Sequence, residues 1–207
     1  GQYNHSGHQV VTKNVAKCEF VLGVANLMVH TLGSGTLAQV QSLLAELIEN
    51  LEIMKALLSV SEINAELDEW GVMRPALVPI TVARNLFIKM YPRMIEIIQL
   101  LGSSSLMALP MEVDFDGPLE QDITRYLDTD TATAKERVQL FHLAWDLAGS
   151  AFGSRQVIYE RYFQGDWMRN ASLLYNRYDA TPMMDQVREF MKSPGFDAAP
   201  DAAAPAV

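Results

Sequence analysis

One short run of residues combines side-chain types that could bind a cofactor, and it reads Phe152-Gly153-Ser154-Arg155-Gln156. The glycine permits close approach of a backbone, and free amides at a helix start can donate hydrogen bonds to an anion. The arginine offers a planar fork of donors suited to phosphate or carboxylate, and the glutamine offers an amide for the edge of a ring. We therefore predict a ligand site at a junction between two helices.

An ordinary structural role would use the same residues. The run could be a helix cap followed by a buried ion pair between Arg155 and Glu160, which needs no ligand. Aromatic residues cluster in the same third of the chain: Trp145, Phe152, Tyr159, Tyr162, Phe163, Trp167 and Tyr175. They could line a pocket for an aromatic ligand, seal an interface or pack in the core. The residues alone leave these alternatives open.

Other reactive side chains give weaker signals. The histidines are His5, His8, His30 and His142. A carboxylate-bridged di-iron site in a helical bundle needs a glutamate three residues before a histidine, and no histidine here has one. We interpret His5 and His8 as surface residues and predict no metal site. Glu46, Glu49 and Glu52 fit a solvated helix face better than an acid–base group.

The elements that would position the run are helices. Apolar residues recur at helical spacing in four long stretches: residues 10–32, 37–60, 79–101 and 131–149. Shorter helices are expected from about residues 154, 167 and 182, after a long surface loop over residues 106–130. No stretch shows a convincing strand alternation.

These patterns predict an all-α fold built on an antiparallel four-helix bundle. We assign the bundle to residues 1–150 and a C-terminal helical extension of the same domain to residues 151–192. The remaining residues, 193–207, are of low complexity and are expected to be a disordered tail.

Composition narrows the class of protein. The chain has 207 residues, of which 49% are hydrophobic, and a net charge of −9, which argues against a broad surface for nucleic acid or anionic membrane. A single cysteine, Cys18, excludes an internal disulfide and Cys-rich metal sites and fits the reducing cytoplasm. No apolar run reaches the ~18 residues of a membrane span, and we see no secretion signal.

The run around Gly153 resembles a motif of the oxygenase component of the 4-hydroxyphenylacetate 3-monooxygenase family, two-component aromatic hydroxylases that use reduced flavin. Further matches extend to about Lys192: His8-Gln9-Val10-Val11, Lys17, Glu19-Phe20, Leu22-Gly23, Val40-Gln41, Tyr91-Pro92-Arg93-Met94, Leu140-Phe141, Ala144-Trp145-Asp146, Leu174-Tyr175 and Tyr178-Asp179. The resemblance implies the C-terminal helical domain of an enzyme with an acyl-CoA-dehydrogenase-like fold. In that family this domain helps to enclose FAD and packs into a homotetramer.

The resemblance also implies an activity and its partners. Reduced FAD would come from a separate NADH-dependent flavin reductase, and with dioxygen it would hydroxylate a phenolic substrate ortho to its hydroxyl. An N-terminal domain and a β-rich domain of the same enzyme would supply most of the substrate pocket, so no catalytic residue is assigned to this chain. The implied flavin-proximal residues are Phe152, Gly153, Ser154, Arg155, Gln156 and, as a weaker candidate, Gln9.

Two other functions remain open at this stage. One is a flavoprotein of the 4-hydroxybutyryl-CoA dehydratase type, whose iron–sulfur ligands could lie outside these residues. The other is a non-catalytic helical module that serves only assembly. Binding of flavin would separate the second alternative from both enzymes.

Overall fold

The computed structural model describes residues 2–192, where nearly all regular structure is helical. Eight helices follow one another: α1 (Gln2–Thr31), α2 (Ala38–Ile63), α3 (Leu77–Gly102), α4 (Glu120–Leu127), α5 (Ala134–Ala148), α6 (Ala151–Tyr162), α7 (Trp167–Arg177) and α8 (Thr181–Met191). Between α2 and α3, β1 (Glu66–Leu67) pairs antiparallel with β2 (Met73–Arg74). Short 3-10 turns lie at Ser103–Leu106 and Glu112–Asp116. The all-α prediction is confirmed, while the predicted tail lies outside the described residues.

The core is formed where the three longest helices meet. α1, α2 and α3 pack against one another in every pairing, and α5 lies against α1 and α3. Buried residues along one side of α1 recur at spacings of three and four: Val11, Asn14, Cys18, Val21, Ala25 and Met28. Four long helices thus occur in the predicted stretches, and the three-part division of the chain stays a prediction.

Cross-helix contacts show the directions of these helices. His8 contacts Glu62 at 2.8 Å and Glu19 contacts Lys55 at 3.3 Å, so α2 runs antiparallel to α1. On the other side, a Cβ on Gly7 would meet Ile80, and Cys18 contacts Met94, so α3 runs parallel to α1. The chain therefore alternates in direction through its first three long helices.

α1 begins at Gln2, about eight residues before the predicted start near Val10. The polar first turns are held by contacts with α3 and the residues just before it. Asn4 is buried, and its side-chain amide donates to the carbonyl of Pro75 at 2.8 Å. Gly7 permits close packing, since a Cβ there would lie 2.6 Å from Cγ2 of Ile80. Such contacts do not appear in the spacing of apolar residues along the sequence. For this reason the sequence predicted the start of α1 too late.

The strand pair lies in a segment that the sequence indicated only as an exposed connection. Its turn is organised by Asp68, whose carboxylate accepts hydrogen bonds from the amides of Val72 and Trp70 at 2.9 and 3.0 Å. These bonds, the one from Val72 above all, hold the pKa of Asp68 below its usual value. Gly71 supplies the positive φ of +75° that the turn requires.

The single cysteine is part of the core. Cys18 is fully buried, and its sulfur lies 3.9 Å from that of Met94. Burial, with a smaller contribution from Glu19, raises the pKa of the Cys18 thiol to about 12. The thiol therefore stays protonated near neutral pH and is unreactive in the folded protein.

Within residues 2–192 no helix combines the length and the apolar character that crossing a membrane would demand.

Candidate functional site

The predicted run lies inside α6, and the junction between helices precedes it. α5 ends at Ala148, and Gly149 and Ser150 connect the two helices. The hydroxyl oxygen of Ser150 accepts a hydrogen bond from the amide of Gly153 at 3.1 Å, which caps α6. The expected position of the turn is therefore corrected by a few residues, because Ser150 starts the helix and the run forms its first turns.

Gly153 brings α6 close to the end of α5. A Cβ at this position would lie 2.5 Å from the carbonyl oxygen of Leu147 and 2.8 Å from that of Asp146. Both are backbone atoms, which cannot move away by a change of rotamer as the end of a flexible side chain can. The glycine is therefore required by packing, whether or not a ligand binds nearby.

Replacing Gly153 by alanine is expected to lower the free energy of unfolding by about 1–3 kcal/mol, the usual cost of overpacking. Chemical denaturation of the full-length protein would measure it. Gly23, a glycine inside α1, is the matched control, because a Cβ there meets nothing within 4 Å. Alanine at Gly23 should be neutral or should stabilise by roughly 0.5–1 kcal/mol. Equal effects at both positions would contradict the packing role of Gly153.

Three side chains of the run point away from the core. Phe152 is 61% exposed, and Ser154 and Arg155 are exposed as well. Within residues 2–192 Arg155 makes no hydrogen bond or ion pair, so the alternative of a buried pair with Glu160 is wrong. Residues five apart on a helix point in different directions, which explains why Arg155 does not reach Glu160.

Glu160 pairs instead with two lysines of α1. Its side chain is fully buried, and Nζ of Lys13 donates to its two carboxylate oxygens at 2.7 and 2.6 Å. Lys17 donates to the same carboxylate and also to Oε1 of Gln156, the latter at 2.9 Å. Two ammonium groups facing one carboxylate leave a surplus positive charge beside the run.

Aromatic rings surround these lysines. Nζ of Lys13 lies 4.7 Å from the ring centre of Phe163, which stacks on Tyr159 with ring centres 4.6 Å apart. Burial lowers the pKa of Lys13, and the hydrogen bond to Glu160 opposes that shift. Nearby, burial and then the charge of Glu160 raise the pKa of Tyr91 to about 12. The Tyr91 phenol is therefore protonated at neutral pH.

Gln9 lies on the same stripe of α1 as the two lysines, because positions 9, 13 and 17 are one turn apart. Lys17 contacts Gln156 while Lys13 contacts Glu160, so α6 runs antiparallel to α1. Gln9 is exposed and lies eight residues, or about 12 Å along the helix, from Lys17. The structure thus joins Gln156 to α1 and leaves Gln9 at the far end of the same face.

Sequence reasoning missed Lys13 and Lys17 as site residues. The signal was their spacing, since they continue the line of Gln9 along α1 at intervals of four residues. Two of the other reactive side chains considered from the sequence form ion pairs within the fold. His8 contacts Glu62, and Glu46 pairs with Arg93 at 2.9 Å. No three His, Cys, Asp or Glu side chains among the described residues are placed to hold a metal.

The aromatic residues of the last third are not core residues. Their exposed fractions range from 36% for Trp145 and Phe163 to 83% for Tyr175. Core packing therefore does not explain these aromatic residues. Of the alternatives for them, contact with a ligand and contact at an interface remain.

This chain is similar to known proteins in both its sequence and its fold. The family model HpaB, 4-hydroxyphenylacetate 3-hydroxylase C terminal, matches residues 1–192. A probable 4-hydroxyphenylacetate 3-monooxygenase of Bacillus subtilis is 45% identical over 184 residues, which are 89% of this chain and 38% of that protein. The crystal structure of the oxygenase component HpaB, complexed with FAD and 4-hydroxyphenylacetate, has a TM-score of 0.88 at 43% identity. That match covers 91% of this chain and 40% of the other.

The chain thus spans about two fifths of the length of these relatives. An archaeal 4-hydroxybutyryl-CoA dehydratase also has this fold, with a TM-score of 0.75 over 86% of this chain and 36% of that one. Its sequence identity is 13%, so that likeness concerns the fold alone.

Proposed function

This chain belongs to the HpaB family of 4-hydroxyphenylacetate 3-hydroxylase C-terminal domains, and we propose that it is the C-terminal helical domain of a two-component, reduced-FAD-dependent phenol hydroxylase. In this role it encloses the flavin and contributes to a homotetramer. The catalysed reaction is hydroxylation of a phenol ortho to its hydroxyl group. The partners are the remaining domains of the same enzyme and an NADH-dependent reductase that supplies the reduced flavin, all in the cytoplasm.

The residues around the run suit FAD. The pyrophosphate of FAD and the ring of reduced flavin carry negative charge. Next to the run, the two lysines of α1 offer a surplus ammonium charge. On another side of α6, the exposed Arg155 offers a guanidinium. The Nε2 donors of Gln156 are left for a ring edge, since Lys17 occupies its oxygen. When bound, reduced FAD would supply the activation of dioxygen, while this chain would bind, orient and shield it.

One observation carries the proposal: the backbone of the run is fixed, while the side chains of Ser154 and Arg155 lack polar partners within residues 2–192. The Ser150 cap and the packing of Gly153 hold the first turn of α6 in place. Arg155 is nevertheless exposed and makes no polar contact within residues 2–192. A rigid helix start that presents an unpaired guanidinium is a preorganised anion site.

Exposed apolar side chains support assembly. On α1 and α2 the large exposed examples are Phe20, Leu27, Ile48 and Ile53. In α8 no side chain is buried, and Met183, Val187 and Met191 recur along one side at a spacing of four residues. Apolar surface on this scale is typical of contacts with other domains or subunits, which fits a homotetramer.

The full-length protein should form a catechol from a simple phenol when it is supplied with NADH, FAD, dioxygen and an NADH-dependent flavin reductase. Free reduced flavin consumes oxygen by itself, so the readout is phenol-dependent oxygen uptake together with the catechol, identified by chromatography. Reductase without the oxygenase is the control. No product, in a protein that shows an iron–sulfur chromophore, would favour the dehydratase type; no flavin binding at all would favour the assembly module.

A further inference from the structure

A groove of about 340 Å³ lies between α3, the end of α6 and the start of α7. Its walls include Asn85, Ile88, Lys89, Arg161, Tyr162 and Trp167. None of the lining residues belongs to the run, whose last residue, Gln156, lies five residues, or about 7.5 Å along α6, before Arg161. The volume falls at the lower end of the roughly 300–1,000 Å³ found for small-molecule sites.

The groove carries positive charge without a local acid. Lys89 and Arg161 make no ion pair within the described part of the chain, and no Asp or Glu lines the walls. The acids closest in sequence are engaged elsewhere: Glu160 binds the lysines of α1, and Asp166 accepts from the amide of Met168 at 3.1 Å as the cap of α7. In a chain whose net charge is −9, this is a local site for an anion.

A buried arginine adds to this charge. Arg84, only 9% exposed, lies one turn before Ile88 on α3 and donates from Nε to Oε1 of Gln164, in the α6–α7 turn. Among the described residues, Nη1 of Arg84 and Nε2 of Gln164 are both buried without a hydrogen-bond partner. Tyr3 covers the guanidinium at 4.7 Å, and within residues 2–192 no carboxylate pairs with it. An uncompensated buried charge is costly, and an anion nearby would reduce that cost.

Two aromatic side chains complete the walls. Tyr162 and Trp167 are about half exposed, so their faces are available for stacking on a flat ring. We propose that this groove binds a small aromatic oxyanion, with Lys89 and Arg161 holding the anionic group and Tyr162 and Trp167 holding the ring. Arg84 does not line the groove, but its buried charge beside the α6–α7 turn adds to the positive potential there. This site does not depend on flavin binding at the run.

Calorimetric titration of the full-length protein, without FAD, tests the proposal with two probes, phenylacetate and AMP. We expect one of them to bind at one site per chain that the double variant Lys89→Ala/Arg161→Ala weakens at least tenfold. The double variant Arg125→Ala/Arg169→Ala removes two exposed cations elsewhere and should bind as the wild type does. Trp167→Ala alone should weaken binding at the same site. This single variant provides the test if the double variant Lys89→Ala/Arg161→Ala does not fold.

The probes also identify the source of the ligand. Binding of phenylacetate alone assigns an aryl carboxylate, and binding of AMP alone assigns a nucleotide; both outcomes support the site. Binding elsewhere in the protein would persist in both double variants. The proposal is overturned if neither probe binds, if Lys89→Ala/Arg161→Ala leaves every binding event unchanged, or if inorganic phosphate binds as tightly as AMP, because the ring would then contribute nothing.

Discussion

Replacing Glu160 by alanine is expected to lower the free energy of unfolding by about 3–5 kcal/mol, the range seen when one partner of a buried ion pair is removed. The change would leave Lys13 and Lys17 side by side with no carboxylate between them. Both ammonium groups would then repel each other in a partly buried setting. α6 should separate from α1, and the candidate flavin face would be lost with it.

Chemical denaturation of the full-length protein measures this change, and hydrogen exchange of the α6 amides locates it. Glu52→Ala is the matched control, since Glu52 pairs with Lys55 at 3.7 Å on an exposed face. Such a surface pair contributes only about 0.2–1 kcal/mol. If Glu160→Ala costs no more than Glu52→Ala, the cluster does not hold α6 on α1.

Arg155→Ala is expected to weaken the binding of reduced FAD by the assembled full-length protein by about 1.5–3 kcal/mol, or roughly ten- to a hundredfold. The reason is the loss of a charge-assisted contact to an anionic cofactor. Because Arg155 has no partner within residues 2–192, the same change should leave the stability of the flavin-free protein unaltered. Anaerobic titration with reduced FAD provides the dissociation constant.

Two further variants interpret that result. Arg169→Ala removes an exposed arginine of α7 and should leave the affinity unchanged. Arg155→Lys keeps the charge without the planar fork, so it should restore only part of the affinity. An unaltered dissociation constant in Arg155→Ala would remove the run from the flavin site, even if the enzyme proved to be a hydroxylase.

The helices could be predicted because their burial is periodic along the chain. In α2, apolar residues at helical spacing form the seam Val40, Leu44, Leu47, Leu51, Met54 and Leu58. Four of the six are buried, while Leu44 and Leu58 are partly buried against the core. The start of α1 and the strand pair could not be predicted, because they depend on single hydrogen bonds of polar groups. One example is the bond from Asn4 to the carbonyl of Pro75, 71 residues away. Such bonds leave no repeating pattern in the sequence.

The candidate site shows the same division. The residue types of the run indicated a ligand site, and the alternative that paired Glu160 with Arg155 of the same helix is wrong. Its actual partners lie on α1, at the other end of the chain, and only their four-residue spacing pointed to a common face. Gly153 is required by its close packing against the end of α5, just after the Ser150 cap. Its presence therefore does not by itself indicate a cofactor.

The ion cluster between α1 and α6 also sets an order of events during synthesis. Lys13 and Glu160 are 147 residues apart, so Lys13 leaves the ribosome long before its partner exists. At typical translation rates of about 5–20 residues per second the delay is roughly 7–30 s. Contacts of such long range form late in folding, because the intervening chain must first be closed into a loop. The candidate flavin face therefore cannot form until almost the whole domain has been translated.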